Sequence, residues 1–498
     1  MQVEILVTNT ECKVLTPVNK DMLTVLQQIC QFKVEGAEFK AYAYRRRFNW
    51  DGYKKLFNVQ TRRFPIGLLD KVSDTLRGYG VDVVYKFDRK IDDSIYNYEF
   101  DQSFIRPYQH NAIMTSIMHG NGIVKVATGG GKTVIAGVTI GAVKKKSIFI
   151  VHTKDLLYQA IESFGNIFKE EKIGQIGDGV YDPQNITVAT MQTLAILGKI
   201  NDIEKKDKYD EDSDVEETMI SEQELKQIKF HEYAKTVQCV MMDEVQIVSS
   251  KTAYAVRFLF EYANIAFGYS ASPWRDDGSD LMIEGAFGKR IIDIDASTLI
   301  KQGYLVRPTI EVHQTYYDTR GQSENGKQLN YAQLYKKFIV ENADRNEQVA
   351  LDAIHAYQSG MNTLVLVTQL KQGSFIADIM TNKYGMDVAF ISGKTRTKIR
   401  RQTIQDMRDG KIQIMIASTI ADVGLDIPRL QCIVEAGAGK SSVTALQRLG
   451  RIMRPFENKE TCLFITYRDR IRYLSEHIKK KLEIWNTEKE FIIKEDNV

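Results

Sequence analysis

The residues Thr128-Gly129-Gly130-Gly131-Lys132-Thr133 carry the first recognisable chemistry of the chain. They follow an apolar run, Gly122-Ile-Val-Lys-Val-Ala127, and precede a stretch of helical composition, Val134-Ile-Ala-Gly-Val-Thr-Ile-Gly-Ala-Val143. Strand, glycine loop and helix in that order make a phosphate cradle. The glycines let backbone N–H groups turn inward, and the helix N-terminus adds partial positive charge. Lys132 would reach the β- and γ-phosphates of a nucleotide, and Thr133 Oγ1 would bind Mg2+. Val126 stands where the strict G-x-x-x-x-G-K-[ST] pattern has its first glycine. By itself, therefore, the loop also reads as a Gly-rich turn holding a stray lysine.

A second apolar run, Val237 to Met242, leads into Asp243-Glu244-Val-Gln246. The carboxyl ends of buried parallel strands are where such sheets bind ligands. There Asp243 would hold Mg2+ through water, and Glu244 would polarise an attacking water, since phosphoryl transfer needs a positioned nucleophile more than covalent help. An acidic pair capping the following helix is the plainer alternative. The joint presence of glycine loop and acids, two or three strand–helix units apart, favours the catalytic reading. Farther on, Gln447-Arg-Leu-Gly450-Arg451-Ile-Met-Arg454-Pro places two arginines three residues apart on one predicted helical face. They would serve as arginine fingers, worth ~10³–10⁵ in rate where known, or they are an ordinary exposed R-x-x-R.

These residues need a scaffold. Apolar runs at Ser147–Val151, Ile186–Thr190, Val237–Met242 and Ala266–Ser270 alternate with helical patterns, and a second series follows at Thr363–Thr368, Val388–Ser392, Ile412–Ile416, Cys432–Glu435 and Cys462–Thr466. β-branched runs spaced by helices predict βαβ units and parallel sheets buried on both faces. With 498 residues, about three domains are expected. We read a small α+β domain over 1–100, an α/β domain over 101–296 and a second over 297–498 that ends in a charged helical tail. The segment 201–217, NDIEKKDKYDEDSDVEE, is almost without apolar residues and reads as a surface insertion.

Composition excludes several classes. Hydrophobic residues make up 43% and charged residues 26% of the chain, ordinary for a globular protein and unlike a disordered, collagenous or membrane-spanning one. No apolar run approaches the ~18 residues of a spanning helix. The formal net charge is +3, so charge alone names no partner. Cys12, Cys30, Cys239, Cys432 and Cys462 show no C-x-x-C, and the seven histidines show no H-E-x-x-H. This predicts reduced thiols and no zinc site. Met1 to Thr10 alternates like a strand and lacks the plan of a secretory signal, so the expected location is cytoplasmic.

Taken together, the motifs resemble those of superfamily 2 helicases. Phe104-Ile-Arg106-Pro-Tyr-Gln109 resembles the adenine-reading segment ahead of motif I, and Ala127 to Thr133 motif I itself. Val151 to Gln159, Thr190 to Thr193, Asp243 to Gln246 and Ser270 to Arg275 resemble motifs Ia, Ib, the DExH box and motif III. Ile416 to Pro428 and Gln447 to Pro455 resemble motifs V and VI. Ile105-Arg-Pro-Tyr-Gln109 and the DEVx box resemble the branch shared by XPB-type and phage UvsW helicases. Phe48-Asn-Trp-Asp-Gly52 and Phe64-Pro-Ile-Gly-Leu68 resemble the small N-terminal domain of the UvsW family. Gln246 replaces a common histidine, and Ser270-Ala-Ser272 replaces Ser-Ala-Thr. Because Gln246 can both donate and accept hydrogen bonds, hydrolysis is expected to survive.

The resemblance implies two tandem RecA-like domains behind a small DNA-binding domain, with ATP and Mg2+ as cofactors. It implies Gln109, Arg106, Thr128, Gly129, Gly130, Gly131, Lys132, Thr133, Gly424 and Asp426 at the nucleotide, and Thr133 and Asp243 at the metal. Lys132, Asp243, Glu244, Gln447, Arg451 and Arg454 would act in catalysis, and Thr153, Thr193, Ser392, Lys394 and Thr419 on nucleic-acid phosphates. The implied activity is a 3'→5' helicase or translocase on single-stranded, forked or branched DNA in recombination, repair and replication restart. It would act as a monomer, away from membranes, with recombination or single-strand-binding proteins as partners. An RNA-directed helicase and a translocating subunit of a restriction system stay open. A scaffold with a decayed ATPase is opposed by the intact Lys132, Asp243, Glu244, Arg451 and Arg454. Between Pro428 and Gln447 there is room for a strand and a turn but not for a long strand-separating hairpin.

One further stretch is chemically distinctive. From Lys40 to Arg63, the cations Lys40, Arg45, Arg46, Arg47, Lys54, Lys55, Arg62 and Arg63 stand against Asp51, with Phe48, Trp50, Tyr53 and Phe57 interleaved. Cations neutralise phosphates and exposed aromatics stack on bases, while the same aromatics could form the core of a small domain. Replacing Arg45, Arg46 and Arg47 together by alanine is expected to weaken DNA binding and lower its salt slope by up to ~3. An unchanged slope in a salt titration removes the segment from the DNA footprint.

Overall fold

The computed structural model describes residues 2–34, 36–37, 50–200, 222–272, 278–324, 327–418, 427–437, 439 and 442–496. The expectations for Arg45, Arg46, Arg47, Thr419, Gly424, Asp426 and the acidic segment 201–217 fall outside the described residues. The chain divides into two compact units. One comprises Met1–Val126 with Gly131–Asp293, the other Ala127–Gly130 with Ile294–Val498.

The first unit opens with a four-stranded sheet. Its strands are β1 (Gln2–Val7), β2 (Glu11–Val14), β3 (Arg63–Pro65) and β4 (Asp82–Phe87), in the order β3-β2-β1-β4. β1 runs antiparallel to β2 and parallel to β4. Its alternation has the expected meaning: Val3, Ile5 and Val7 point inward and are fully buried. Leu26 of α1 (Lys20–Ile29) and Val72 and Leu76 of α2 (Leu69–Gly78) complete that core. Asn19 caps α1 by accepting from Met22 N, and Phe57 stacks on Phe64 with ring centroids 5.9 Å apart. In the basic aromatic stretch, then, Phe57 is core, Trp50 is half-buried and Tyr53 is exposed. Trp50 donates its Nε1–H to the Tyr53 carbonyl at 2.8 Å.

The larger sheet of this unit has eight strands: β5 (Asn121–Val126), β6 (Ser147–Val151), β7 (Ile173–Gly177), β8 (Val180–Asp182), β9 (Ile186–Thr190), β10 (Cys239–Asp243), β11 (Ile265–Ser270) and β12 (Arg290–Ile294). Their order is β8-β7-β9-β6-β10-β11-β5-β12. The central pairings are parallel, and every residue of β6, β9 and β10 is buried, as strands covered on both faces must be. Helices α3 (Pro107–His119), α4 (Lys132–Val143), α5 (Lys154–Ile167), α6 (Lys251–Arg257) and α7 (Asp280–Phe287) connect or cover the strands. β7 and β8 were not legible as apolar runs. They form a hairpin whose two-residue turn, Asp178-Gly179, has φ of 51° and 81°, the left-handed pair that a D-G turn supplies.

Among the described residues, the main sheet of the second unit has seven strands: β13 (Pro308–Gln314), β14 (Thr363–Val367), β15 (Ala389–Ile391), β16 (Ile414–Ser418), β17 (Cys432–Glu435), β18 (Cys462–Arg468) and β19 (Ile492–Glu495), in the order β15-β16-β14-β17-β18-β13-β19. All six pairings are parallel. Its helices include α8 (Ala343–Gln358), α9 (Ser442–Ile452) and α10 (Ser475–Trp485). β16 starts two residues later than the apolar run predicted, because Ile412 N still donates to Asp406 O in the turn that closes the preceding helix. The tail is a helix followed by a strand: α10 buries Trp485 against Phe464, and β19 then pairs with β13.

The N-terminal sheet is docked tightly within the first unit. Gly67 lies so close to α7 that a Cβ there would collide with the Glu284 carbonyl oxygen and sit 2.7 Å from Gly285 O. Lys71 and Lys289 add ion pairs to Glu284 and Asp70 at 3.2 and 3.1 Å. Gly67→Ala is expected to destabilise the protein by about 1–3 kcal/mol through this backbone clash, read as a lower melting temperature. An unchanged melting curve would contradict the close docking.

Candidate nucleotide site

The glycine loop follows β5 directly, and its conformation needs glycine at two points. Gly129 and Gly131 have φ of 86° and 79°, a region that side chains disfavour. Gly131 is also the N-cap of α4, so Lys132 and Thr133 open that helix, both half-buried. Gly130 N–H closes a turn onto Ala127 O at 2.9 Å, and Thr128 is half-buried. Gln109 is brought to the same place from α3. It is 4% exposed, and its Nε2 would collide with any Cβ on Gly131. Its Oε1 accepts from Arg106 N at 3.0 Å, closing a capping box in front of Pro107. The glycine at 131 thus serves both the loop's left-handed turn and the approach of the glutamine.

The acids stand where expected. β10 ends at Asp243, which is 7% exposed, and Glu244 follows with φ of 52° as N-cap of a short helix, Val245–Ser249. Glu244 N donates to Asp243 Oδ1 at 3.0 Å, and Lys132 Nζ lies 3.9 Å from Glu244 Oε1. Burial raises the Asp243 carboxyl well above the usual carboxylate range. The Glu244 charge pushes it the same way and Lys132 opposes.

A feature the sequence reading treated only as a departure organises this corner. Gln246 Nε2 donates to Glu244 Oε2 at 2.8 Å, while its Oε1 accepts from Ser270 Oγ at 2.6 Å. Ser272 N in turn donates to Ser270 Oγ at 3.0 Å. One hydrogen-bonded chain therefore runs from the acid after β10 to the Ser270-Ala-Ser272 segment after β11. A glutamine suits this position because it donates from one atom and accepts at the other without a charge of its own.

In the second unit, Gln447 and Arg451 lie on α9. The predicted helix does not reach Arg454. α9 stops at Ile452, because Pro455 disfavours helical backbone in the residue before it. Arg451 and Arg454 are half-buried, and burial together with Arg408 lowers the Arg454 guanidinium. Between them and β17 lies a device the sequence reading missed. Arg448 Nη1 bonds Glu435 Oε1 at 2.5 Å, Thr466 Oγ1 donates to Glu435 Oε2 at 2.9 Å, and Lys481 of α10 reaches the same oxygen at 2.5 Å. Burial alone would raise Glu435; Lys481 and Arg448 outweigh it and hold the carboxyl below its ordinary range. Glu435 thereby pins the arginine helix to the sheet.

The residues expected on nucleic acid are placed as follows. Thr153 caps α5, its Oγ1 accepting from Leu156 N at 3.3 Å. Thr193 Oγ1 accepts from Thr190 Oγ1 at 2.8 Å. Ser392 is 8% exposed and its Oγ accepts from the backbone N of the exposed Lys394 at 3.2 Å.

Residues 103–274 match the family described as type III restriction enzyme, res subunit, and residues 346–455 the helicase conserved C-terminal domain. The chain is 25% identical over 465 residues to the ATP-dependent DNA helicase uvsW of Enterobacteria phage T4, covering 87% of this chain and 84% of that protein. It is 24% identical over 398 residues to the DNA 3'-5' translocase XPB2 of Sulfurisphaera tokodaii, covering 73% and 81%. In fold it is similar to a fragment assigned as the HsdR subunit of a type I restriction enzyme from Vibrio vulnificus YJ016. That match has a TM-score of 0.55 at 16% identity and spans 93% of this chain and 82% of the other. The chain is a superfamily 2 helicase with two RecA-like parallel-sheet domains. Within that superfamily it is related to UvsW, and it is an ATP-dependent helicase or translocase of the UvsW and XPB kind.

Gln246→Ala is expected to reduce stability by about 1–2 kcal/mol, because Glu244 and Ser270 each lose a buried partner. Gln246→Glu should reduce it further by setting a second charge against Glu244. Equal melting temperatures for the three proteins would contradict the hydrogen-bonded chain.

Proposed function

We propose that the chain hydrolyses ATP with Mg2+ at the carboxyl edge of β5 and β10, and uses the cycle to move 3'→5' along DNA and remodel forked and branched molecules in recombination, repair and replication restart. The observation that carries this reading is the joint position of Lys132, Asp243 and Glu244. An ammonium lies 3.9 Å from one of two adjacent, largely buried carboxylates, beside a loop whose backbone turns through two left-handed glycines. Two carboxylates that close leave negative charge for a divalent cation to offset, and Mg2+ is commonly held by one or two carboxylates plus substrate phosphates. The residues therefore fit the cofactor pair.

Thr133 and Asp243 would hold the metal ion. When bound, that ion neutralises and aligns the phosphates. Lys132 and the N–H groups around Gly129 to Gly131 bind phosphate oxygens, while Gln109 and Arg106 read the base. Glu244 orients the attacking water. Gln246 keeps one Glu244 oxygen engaged so that the other faces the water, and passes the state of that acid to Ser270 and Ser272. Gln447, Arg451 and Arg454 supply positive charge as the terminal phosphate leaves, on a helix anchored by Glu435. Thr153, Thr193, Ser392 and Lys394 grip the backbone of one DNA strand. We assign the work to a monomer in the cytoplasm, with recombination or single-strand-binding proteins as partners. The phage DNA helicase and the DNA 3'-5' translocase XPB2 support DNA over RNA and the 3'→5' direction.

Lys132→Ala should abolish ATP turnover. For the wild-type chain, fork and Holliday-junction DNA should stimulate ATPase and be unwound or migrated, with RNA duplex inert. Full activity in Lys132→Ala would show the loop misassigned, and stimulation by RNA alone would give the enzyme to the RNA-directed class.

A further inference from the structure

We propose a second ligand site in the first unit: a pocket for one phosphate-type oxyanion, held by Arg257, between the N-terminal sheet and the amino-terminal edge of the larger sheet. Two adjoining cavities of about 110 and 230 Å³ open there, sharing Arg89, His119 and Asn121 in their walls. Arg257, the last residue of α6, lines the smaller one and is 2% exposed. Its Nε and Nη1 have no hydrogen-bond partner among the described residues. Its guanidinium lies against the rings of Phe258 and Phe287, with centroids 5.5 and 5.8 Å away. Burial lowers it to about 10, and the groups that oppose this, Cys239 and Tyr254, are not carboxylates. A buried charge without an acid is unfavourable as it stands, and the cavity beside it is where a counter-ion fits.

The other walls indicate which anion. Asn121 opens β5 and Asn264 precedes β11, so both can offer amide donors, while the exposed Arg89 and His119 stand at the mouth. Asn9, in the turn between β1 and β2, is 6% exposed and also lines the cavity. Its Nδ2 donates to Lys90 O at 2.7 Å, which leaves Oδ1, an acceptor, without a donor. A fully ionised anion such as sulfate gives that oxygen nothing and repels it. Monohydrogen phosphate carries one O–H to donate. One buried cation and one buried acceptor on the same small cavity therefore select a protonated tetrahedral oxyanion.

The site is distinct from the nucleotide loop. Asn121 and Asn264 lie at the amino ends of β5 and β11, whereas Lys132 follows the loop after β5 and Asp243 is the last residue of β10, at the opposite edge. A strand of five or six residues separates the two edges by roughly 15–20 Å. A cavity of this size admits a single ion and not a duplex. Its occupant bridges the turn of the N-terminal sheet to α6, and so strengthens the docking of that sheet.

The test is a titration of inorganic phosphate into full-length Lys132→Ala, where the glycine loop is weakened as a competing site, read by calorimetry and by melting temperature. The expected result is saturable binding at one site with a rise in melting temperature, and sulfate at least about tenfold weaker at matched ionic strength. Adding Arg257→Met should remove the rise without lowering the ion-free melting temperature, because an unpaired buried charge has gone. Adding Asn9→Ala should erase the preference for phosphate over sulfate. No phosphate response in the parent, the same response in Arg257→Met, or equal response to both anions overturns the proposal. So does displacement of phosphate by a short single-stranded oligonucleotide, which gives the cavity to a DNA backbone. If Arg257→Met fails to fold, the Asn9→Ala ratio decides: a preference for phosphate as strong as the parent's overturns the assignment.

Discussion

Two carboxylates standing side by side at the buried end of a strand set the terms for everything around them. Burial and the neighbouring Glu244 charge both work against an ionised Asp243, so opposite charge and hydrogen-bond donors must come close. The chain supplies Lys132 from the start of α4 and the amide of Gln246 from the following turn. Lys132 can be there only because the preceding loop doubles back through Gly129 and Gly131, and Gly131 must lack a Cβ because Gln109 occupies that space. One electrostatic requirement thus propagates into the glycine spacing, the capping box of α3 and the pairing of β10 with β11.

The second unit solves a related problem with the same means. Glu435, at the end of β17, is buried among Arg448, Lys481 and Thr466. Nearby, Arg345, 1% exposed, bonds Asp469 at 2.8 Å and the Ala436 carbonyl at 2.7 Å. Buried pairs of this kind add little net stability against an apolar core, but removing one partner is severe, so they fix geometry. Here the geometry fixed is that of α9, which carries Gln447 and Arg451, and of α10, which closes the chain against the sheet.

Much of this was legible in the residues. Fully buried parallel strands announce themselves as continuous β-branched runs, and β6, β9 and β17 fall where the runs do. The positions of the loop and the acids were legible because each directly follows an apolar strand run, and the loop's glycines mark a left-handed turn. Three edge strands were not: β8, β12 and β19 are short or half-polar, since one side of each has no neighbouring strand, and β7, which pairs with both β8 and β9, is broken up by Gly174 and Gly177. The tail read as helix throughout because its charge hid the Phe491-Ile-Ile493 run that becomes β19. The roles of Gln246 and Glu435 could not be read at all. Each depends on at least one partner more than 20 residues away, and a glutamine or glutamate in isolation announces neither. Arg454 was misplaced on a helix although the proline beside it was in plain view.

A crystal of the full chain grown with Mn2+ and a non-hydrolysable ATP analogue would examine the buried carboxylate corner directly. The account predicts an anomalous manganese peak within coordination distance of Thr133 Oγ1 and on the Asp243 side of the loop, with the terminal phosphates against Lys132. A nucleotide bound elsewhere, or a metal peak away from both residues, would contradict it.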